Sequence, residues 1–442
     1  MDLSKALRVM AGQVVAFVGA GGKTSAIRRI VKELEGITPV LATTSTKLAL
    51  NENDLAKNHR IVEDAGGLIT ILSEWASGSS LLLTGPKVAD EPKWDGLPLA
   101  QLQDVIEFSR EKNIVLLIEA DGAGGRSLKA PAEHEPALPH NFDLLVSVVG
   151  IDAIGESLES ELIHRPEEIR KILELDEKGR VNTEHVATLL KHPEGGMKAL
   201  SLHALLRVLI NKVESDVQLS EANEIASLAL QESKIQSVII GAVQKDDPVF
   251  EARGRVAAIV LAAGESKRFG GNKLLHVWKG RPVLEYVLQA VRASNVYRKV
   301  LVLGHEHETV LESVDHEGFQ VVRNKEWRLG QSTSVLAGLE AVKGDVEAAI
   351  FPLGDMPLVD AGLIDAIIDR HAETLAPIVA PQLGEEWGNP VLFDRVTFPA
   401  FSFLTGDRGA KSLFPQFEIA AVEANDMAWK DIDLPGDLEN DE

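Results

Sequence analysis

The chain of 442 residues contains no cysteine at all. That absence excludes disulfides, iron–sulfur clusters, thiolate zinc sites and sulfur transfer through a persulfide. Long hydrophobic runs are missing as well. The longest apolar stretches, LLVSVVG at 144–150 and VLLIEA at 115–120, are far too short to span a bilayer. The apolar VVAFVG near the N-terminus leads into a glycine-rich turn and not into a cleavage site, so no membrane span and a cytoplasmic location are expected. Positive charge is in deficit too. A net charge of −22, spread along the chain, argues against nucleic acid as a partner, because phosphate backbones need clustered Lys and Arg. Nucleotides remain open, since a few local amides and cations suffice to bind them.

What the chain does have is an α/β pattern. Short β-branched runs alternate with segments of helical period over its whole length. Strands are expected at 14–18, 40–43, 81–84, 115–120, 144–149 and 238–242. The series restarts at 257–261, 300–303, 319–322, 348–352 and 378–380. Between the two sets the polar, proline-containing QKDDPVFEARGR (244–255) reads as a linker, dividing the chain into domains at 1–248 and 255–442. A chain of this length ordinarily builds more than one core. Each half opens on an apolar strand, a glycine-rich loop with a lysine, and a helix.

In the second half the segment VAAIVLAAGESKRFGGNKLL (256–275) runs from a buried strand into such a loop. Gly264 admits a phosphate close to the backbone, and Arg268 and Lys273 supply two cations to close on a triphosphate and on its leaving pyrophosphate. AIFPLGDMPLV (349–359) ends a strand on Asp355, at the sheet edge where α/β ligands bind, and a carboxylate there can hold Mg²⁺. The competing reading for Asp355 is a helix cap. DIDLPGDL (431–438) places Asp431 and Asp433 two residues apart, on one face of an extended segment, and Asp433 is taken as a second metal ligand. GNPVLF (388–393) and LTGDRGAKSL (404–413) are polar loops suited to an acceptor through Asn389, Asp407 and Lys411. A solvated loop competes as a reading of the last two.

These motifs, with GQSTS at 330–334, resemble the molybdenum cofactor nucleotidyltransferases of the MobA/MocA family, in order and spacing across 256–438. The resemblance implies a Rossmann-like, GT-A-like nucleotidyltransferase domain in which molybdopterin phosphate attacks the α-phosphate of a nucleoside triphosphate. It places Leu261, Ala262, Ala263, Gly264, Ser266, Arg268, Lys273, Ser332 and Asp355 at the nucleotide. Ala263 stands where the guanylyl branch usually carries glycine, and 352–355 (PLGD) likewise resembles the cytidylyl branch, so CTP is the implied donor. Asn389 stands where histidine is frequent in that family. GTP as donor, or a sugar phosphate as acceptor, are the alternative enzymatic readings.

The first half carries VVAFVGAGGKTSAIRRIV (14–31). Its loop Gly19-Ala20-Gly21-Gly22-Lys23-Thr24 is shorter than a full Walker A, with Phe17 where the first glycine would stand, but fits the contracted GxxGK[ST] form of Mur-ligase-like P-loops. Amides and a helix N-terminus would face a phosphate, with Lys23 on the outer phosphates and Thr24 on Mg²⁺. A capping turn alone is the competing reading. VLLIEADGAGGRSLKAP (115–131) ends a strand on Glu119 and Asp121 in a Walker-B-like position, and ATTSTK (42–47) adds hydroxyls and Lys47. VLINKVE (208–214) resembles the guanine-reading NKxD pattern, with Glu214 in place of aspartate. GAGGKTS, TTSTK, EADGAGGRSLKAP and His164-Arg165-Pro166 resemble the YqeC family, which is associated with selenium-dependent molybdenum hydroxylases. That resemblance implies an apo-hydroxylase as partner. It also leaves open a non-enzymatic role for the P-loop half, as an NTP-dependent carrier or insertion chaperone for the cofactor.

Overall fold

The computed structural model describes residues 1–75, 79–139, 141–175, 179–266 and 269–423. Arg268, Asp431 and Asp433 lie outside these described residues. The chain divides into two compact units, Met1–Arg253 and Gly254–Glu442.

The first unit is built on a nine-stranded sheet. Its order in space is Val249–Gly254, Ile235–Gly241, Leu205–Asn211, Leu144–Gly150, Val14–Gly19, Val115–Glu119, Val40–Thr44, Ser80–Thr84 and Asn58–Ile61. Every pairing from Ile235–Gly241 across to Asn58–Ile61 is parallel. Parallel strands bury both faces, which is why these segments read as near-continuous apolar runs. The opening strand, Val14–Gly19, lies in the interior of the sheet. The next strands of the chain go to one side of it, and Leu144–Gly150 and Leu205–Asn211 go to the other. Such a switch point leaves a crevice at the carboxyl edge. The helix after the first loop, Lys23–Leu34, turns Ala26, Ile27, Ile30, Val31 and Leu34 inward as one apolar stripe.

The expected linker at 244–255 is corrected here. Val249–Gly254 is the edge strand of this sheet, with Val249 and Ala252 buried. Phe250 packs against the core only in part, and the charged residues among these three masked a strand that one neighbour holds in place.

The second unit has an eight-stranded mixed sheet. Gln320–Arg323, Arg298–Leu303, Val256–Ala262 and Ala348–Phe351 are parallel, and Val391–Asp394 then runs antiparallel against the last of them. Alternate residues of Val256–Ala262 enter two different cores: Ala258 and Val260 pack on one face, Ala257 and Ile259 on the other. This is again the α/β architecture. One local expectation differs. A helix does not come directly after the glycine-rich loop, because a single 3₁₀ turn, Lys273–Leu275, and a short hairpin precede the helix Val283–Ala293. The helix that follows the first unit's loop at once therefore has no counterpart directly after this one.

Candidate functional site

In the second unit a cavity of about 710 Å³ opens at the switch point between Val256–Ala262 and Ala348–Phe351. Its first wall is the strand end and loop, Leu261 through Ser266. A Cβ on Gly264 would meet no protein atom within 4 Å, so the space beside that residue is the cavity itself. The segment after Phe351 is pinned against the first strand. Leu261 donates its N–H to the Pro352 carbonyl at 2.9 Å, and Gly354 donates to the Leu261 carbonyl at 3.0 Å. A Cβ on Gly354 would lie 3.1–3.2 Å from side-chain carbons of Ala262, Leu284 and Leu274, so the segment is packed closely on the first strand and the helix beside it. Asp355 is thereby delivered to the cavity, where it is ion-paired with Lys273. Each of the two side chains is mostly but not wholly buried.

The third wall is assembled from two loops far apart in sequence. Gly330 has φ +112°, and a Cβ there would lie 2.2 Å from the Gly406 carbonyl carbon. Ser332 donates its N–H to the Gly406 carbonyl at 3.2 Å. The 404–409 loop thus sits on the start of the helix Gln331–Val342 and brings Asp407 into the cavity. Ser332 itself is buried and does not line it; Gln331 and Ser334, three residues apart and on one helical face, do. The amide of buried Asn324 donates to Ser334 Oγ at 2.9 Å and to Thr333 Oγ1 at 2.8 Å, which fixes their rotamers.

Asn389 and Lys411 are not on this wall. Lys411 Nζ instead donates to the Trp387 carbonyl at 2.8 Å, tying one loop to the next. Trp327, Arg328 and Glu265 line the cavity without having been expected. Arg328 stacks on Trp327 at 4.4 Å, and His305 meets the same ring edge-on. Glu265 lies inside the glycine-rich loop whose neighbours were expected at the nucleotide. Trp327 and Arg328 carried no signal, because a 3₁₀ turn at the end of an irregular segment has no period to detect.

A cleft of about 1210 Å³ occupies the switch point of the first unit. Gly21 has φ +89° and Gly22 φ +116°; a Cβ on the first would strike Gly150 N at 2.2 Å, and on the second Asn211 Nδ2 at 2.5 Å. Only glycine permits this loop to nest between the neighbouring strand ends. Lys23 is buried beneath it, donating to the Gly19 carbonyl at 2.6 Å and pairing with Asp121 at 3.0 Å. Burial works to lower the Lys23 pKa, but the carboxylates of Asp121 and Glu119 prevail and raise it. Burial raises the Glu119 pKa, against the pull of Lys23 and of the Thr24 hydroxyl, which donates to Glu119 at 2.9 Å.

Of the two Walker-B-like carboxylates only Glu119 reaches the cleft. Asp121 is buried below the loop, accepting from Gly19 N at 3.0 Å and pairing with Lys129 at 3.0 Å. Lys129 continues the network to Glu135, which also pairs with Arg165. Although burial opposes ionisation, the hydrogen bonds from Arg165 and Lys129 bring the Glu135 pKa from 4.5 down to about 2. Among the described residues, no group of three or more His, Asp and Glu side chains is placed to hold a metal ion. No helix among them is long and apolar enough to cross a membrane.

Residues 258–421 match the family model for a MobA-like NTP transferase domain, and residues 15–167 match that of the YqeC protein. The chain is 25% identical over 240 residues to the uncharacterized protein YqeC of Escherichia coli, covering 52% of this chain and 88% of that protein. It is 36% identical over 123 residues to the bifunctional protein GlmU of Agrobacterium fabrum, covering 27% of this chain and only 26% of GlmU. Among solved structures, the Rv0371c homologue from Mycobacterium sp. strain JC1 aligns with 26% identity and a TM-score of 0.39, covering 42% of this chain and 94% of that one. The protein is a nucleotidyltransferase. It joins a YqeC domain to a MobA-like NTP transferase domain.

Proposed function

We propose that the second unit transfers CMP from CTP to molybdenum-bound molybdopterin and releases pyrophosphate, and that the first unit binds a second nucleoside triphosphate in the service of molybdenum hydroxylase maturation. The observation that carries the first part is the cavity in which Leu261–Ser266, Lys273 and Asp355 converge at the switch point. The cytidylyl-like LAAG and PLGD segments favour CTP, and the YqeC domain on the same chain favours a cofactor destined for a hydroxylase.

The loop backbone at 262–266 cradles the triphosphate, and Lys273 exchanges its ion pair with Asp355 for phosphate oxygens. Asp355, a hard oxygen donor on the cavity wall, would hold Mg²⁺ together with Asp433, and the ion would neutralise charge between the α- and β-phosphates. An oxygen of the acceptor phosphate forms a bond to the α-phosphorus. The bond from that phosphorus to the bridging oxygen breaks, and pyrophosphate leaves with the electron pair, stabilised by Lys273 and Arg268. The protein's part is positioning and charge stabilisation, as in-line phosphoryl transfer requires. Asp407, carried in by the Gly330–Gly406 contact, faces the acceptor.

In the first unit, Gly21, Gly22 and Thr24 would receive the phosphates, with Glu119 beside Thr24 at the metal position.

The test incubates the full chain and Mg²⁺ with molybdopterin and either CTP or GTP, and identifies the dinucleotide formed. Cytosine dinucleotide with stoichiometric pyrophosphate is expected. Guanine dinucleotide would overturn the donor, and turnover only with a sugar phosphate would overturn the acceptor.

A further inference from the structure

The strand Leu205–Asn211 lies two places from the phosphate-loop strand in the same parallel sheet, so both end at the same edge. That strand ends in the tetrad Asn211-Lys212-Val213-Glu214, for which phosphate binding offers no use. Asn211 is buried and both ends of its amide are engaged. Nδ2 donates to the Gly21 carbonyl of the phosphate loop at 2.7 Å, and Oδ1 accepts the Val243 N–H at 3.0 Å. This one side chain ties the end of its strand to the phosphate loop on one side and to the 242–245 loop on the other.

Lys212 adopts a left-handed backbone, with φ +68°, and its ammonium is anchored to Ser127 Oγ at 2.7 Å and Asp152 at 2.9 Å. Lys212 lines the cleft, and with its ammonium held in this way its aliphatic stem is the part it can offer to a flat ring. Glu214, three residues from Asn211 and hence within about 10 Å of it along the chain, lines the same cleft with an exposed carboxylate. Its own N–H is taken up by Gln218 Oε1 at 2.8 Å, which orients the backbone there.

A carboxylate before a helix needs no ligand to explain it. Glu214 is placed differently: it lines the same cleft as the phosphate loop, three residues beyond the Asn211 that is hydrogen-bonded to that loop, and two beyond a lysine whose ammonium is paired with Asp152. An ionised carboxylate offers two adjacent acceptors and no donor. Among the common bases only guanine presents two adjacent donors, N1–H and the 2-amino group. Adenine and cytosine would each set a ring-nitrogen lone pair against an oxygen, and uracil flanks its single N–H with carbonyls.

We propose that the first unit's cleft is a guanine-nucleotide site in which Glu214 reads N1–H and the 2-amino group while the base lies on the Lys212 stem. This rests on the reading that the phosphate loop of that unit binds a nucleotide. The second unit would then use a different base, so that each site could be filled independently of the other.

The test is competition of unlabelled GDP, ADP and CDP against a fluorescent GDP analogue on the full chain with Mg²⁺, scoring the component lost in Lys23→Ala. Because Lys23 is buried, Thr24→Ala serves as a second phosphate-side variant. GDP is expected to compete roughly 10- to 100-fold better than ADP or CDP, the worth of hydrogen bonds to a charged acceptor. Glu214→Gln, at an exposed position, should lose that advantage. It should also gain binding of xanthosine diphosphate, whose 2-oxo group accepts the amide N–H that guanine's amino group repels. If no nucleotide shows Lys23- or Thr24-dependent binding, the phosphate-loop reading falls and this one with it. If such binding is present but blind to the base, or unmoved by Glu214→Gln, the guanine assignment alone is overturned.

Discussion

Lys273 and Asp355 neutralise each other in the second unit, and their separate contributions can be told apart by substitution. On the proposed assignment Lys273 acts on the leaving pyrophosphate, so in Lys273→Ala kcat/KM for pyrophosphate release should fall by about 10²- to 10³-fold, the usual loss for one preorganised charge-stabilising group. Asp355→Asn keeps the shape but removes the charge with which the proposed mechanism holds the metal. Turnover should be lost at all Mg²⁺ concentrations, whereas chelation of the wild type should be reversed by adding the ion back. Residual activity above a tenth of wild type in Asp355→Asn would refute its assignment to the metal. Glu135 makes a separate prediction about acid stability. Its folded pKa, about 2, lies below the ordinary 4.5, so the unfolded chain binds more protons between those values. The stabilisation is therefore complete above about pH 4.5 and is lost as pH falls toward 2. Glu135→Gln should flatten the melting temperature of the first unit across that window. An unchanged slope would mean that the Arg165 and Lys129 contacts are not made in solution.

At the scale of elements, both sites depend on loops that approach each other too closely for any side chain. Gly330 combines φ +112° with contact against Gly406. Gly330→Ala should destabilise the second unit by roughly 1–3 kcal/mol and displace the 404–409 loop, raising KM for the acceptor more than for CTP. A variant with equal effects on both KM values would show that this loop does not position Asp407 for the acceptor. The same element also explains why Ser334 lines the cavity while Ser332, also buried, does not. Once Gln331–Val342 is helical, residues three apart share a face and the residue between them turns away.

Across the whole molecule, each of the two units owns its hydrophobic core, the first around Val14, Leu116 and Val208, the second around Val260, Leu301 and Ile350. Calorimetry of the full chain should therefore resolve two transitions, and only the first should shift when a guanine nucleotide is added. A fragment of residues 254–442 should fold and release pyrophosphate from CTP at a rate within a few-fold of the full chain. Failure of that fragment to fold would show that the second core is incomplete without the first unit.

The sequence by itself determined the α/β class, the buried strands and the two glycine-rich loops, because those rest on local chemistry. A β-branched run bounded by glycine cannot easily be anything else, and Lys23, Thr24, Lys273 and Asp355 each stand shortly after a strand that its own residues specify. Tertiary structure decided the rest. Val249–Gly254, Val391–Asp394 and Ile419–Glu423 become strands through the neighbours they pair with, and their own short or mixed patterns do not demand it. It also decided that Asp121 lies under the loop while Glu119 faces the cleft, and that Trp327 and Arg328 join the second site. Most of all, it joined Asn211 to Gly21, 190 residues away, bringing a weak four-residue match to the cleft that the glycine-rich loop lines. Hydrogen bonds of that span are set by sheet order, and sheet order is a property of the folded chain.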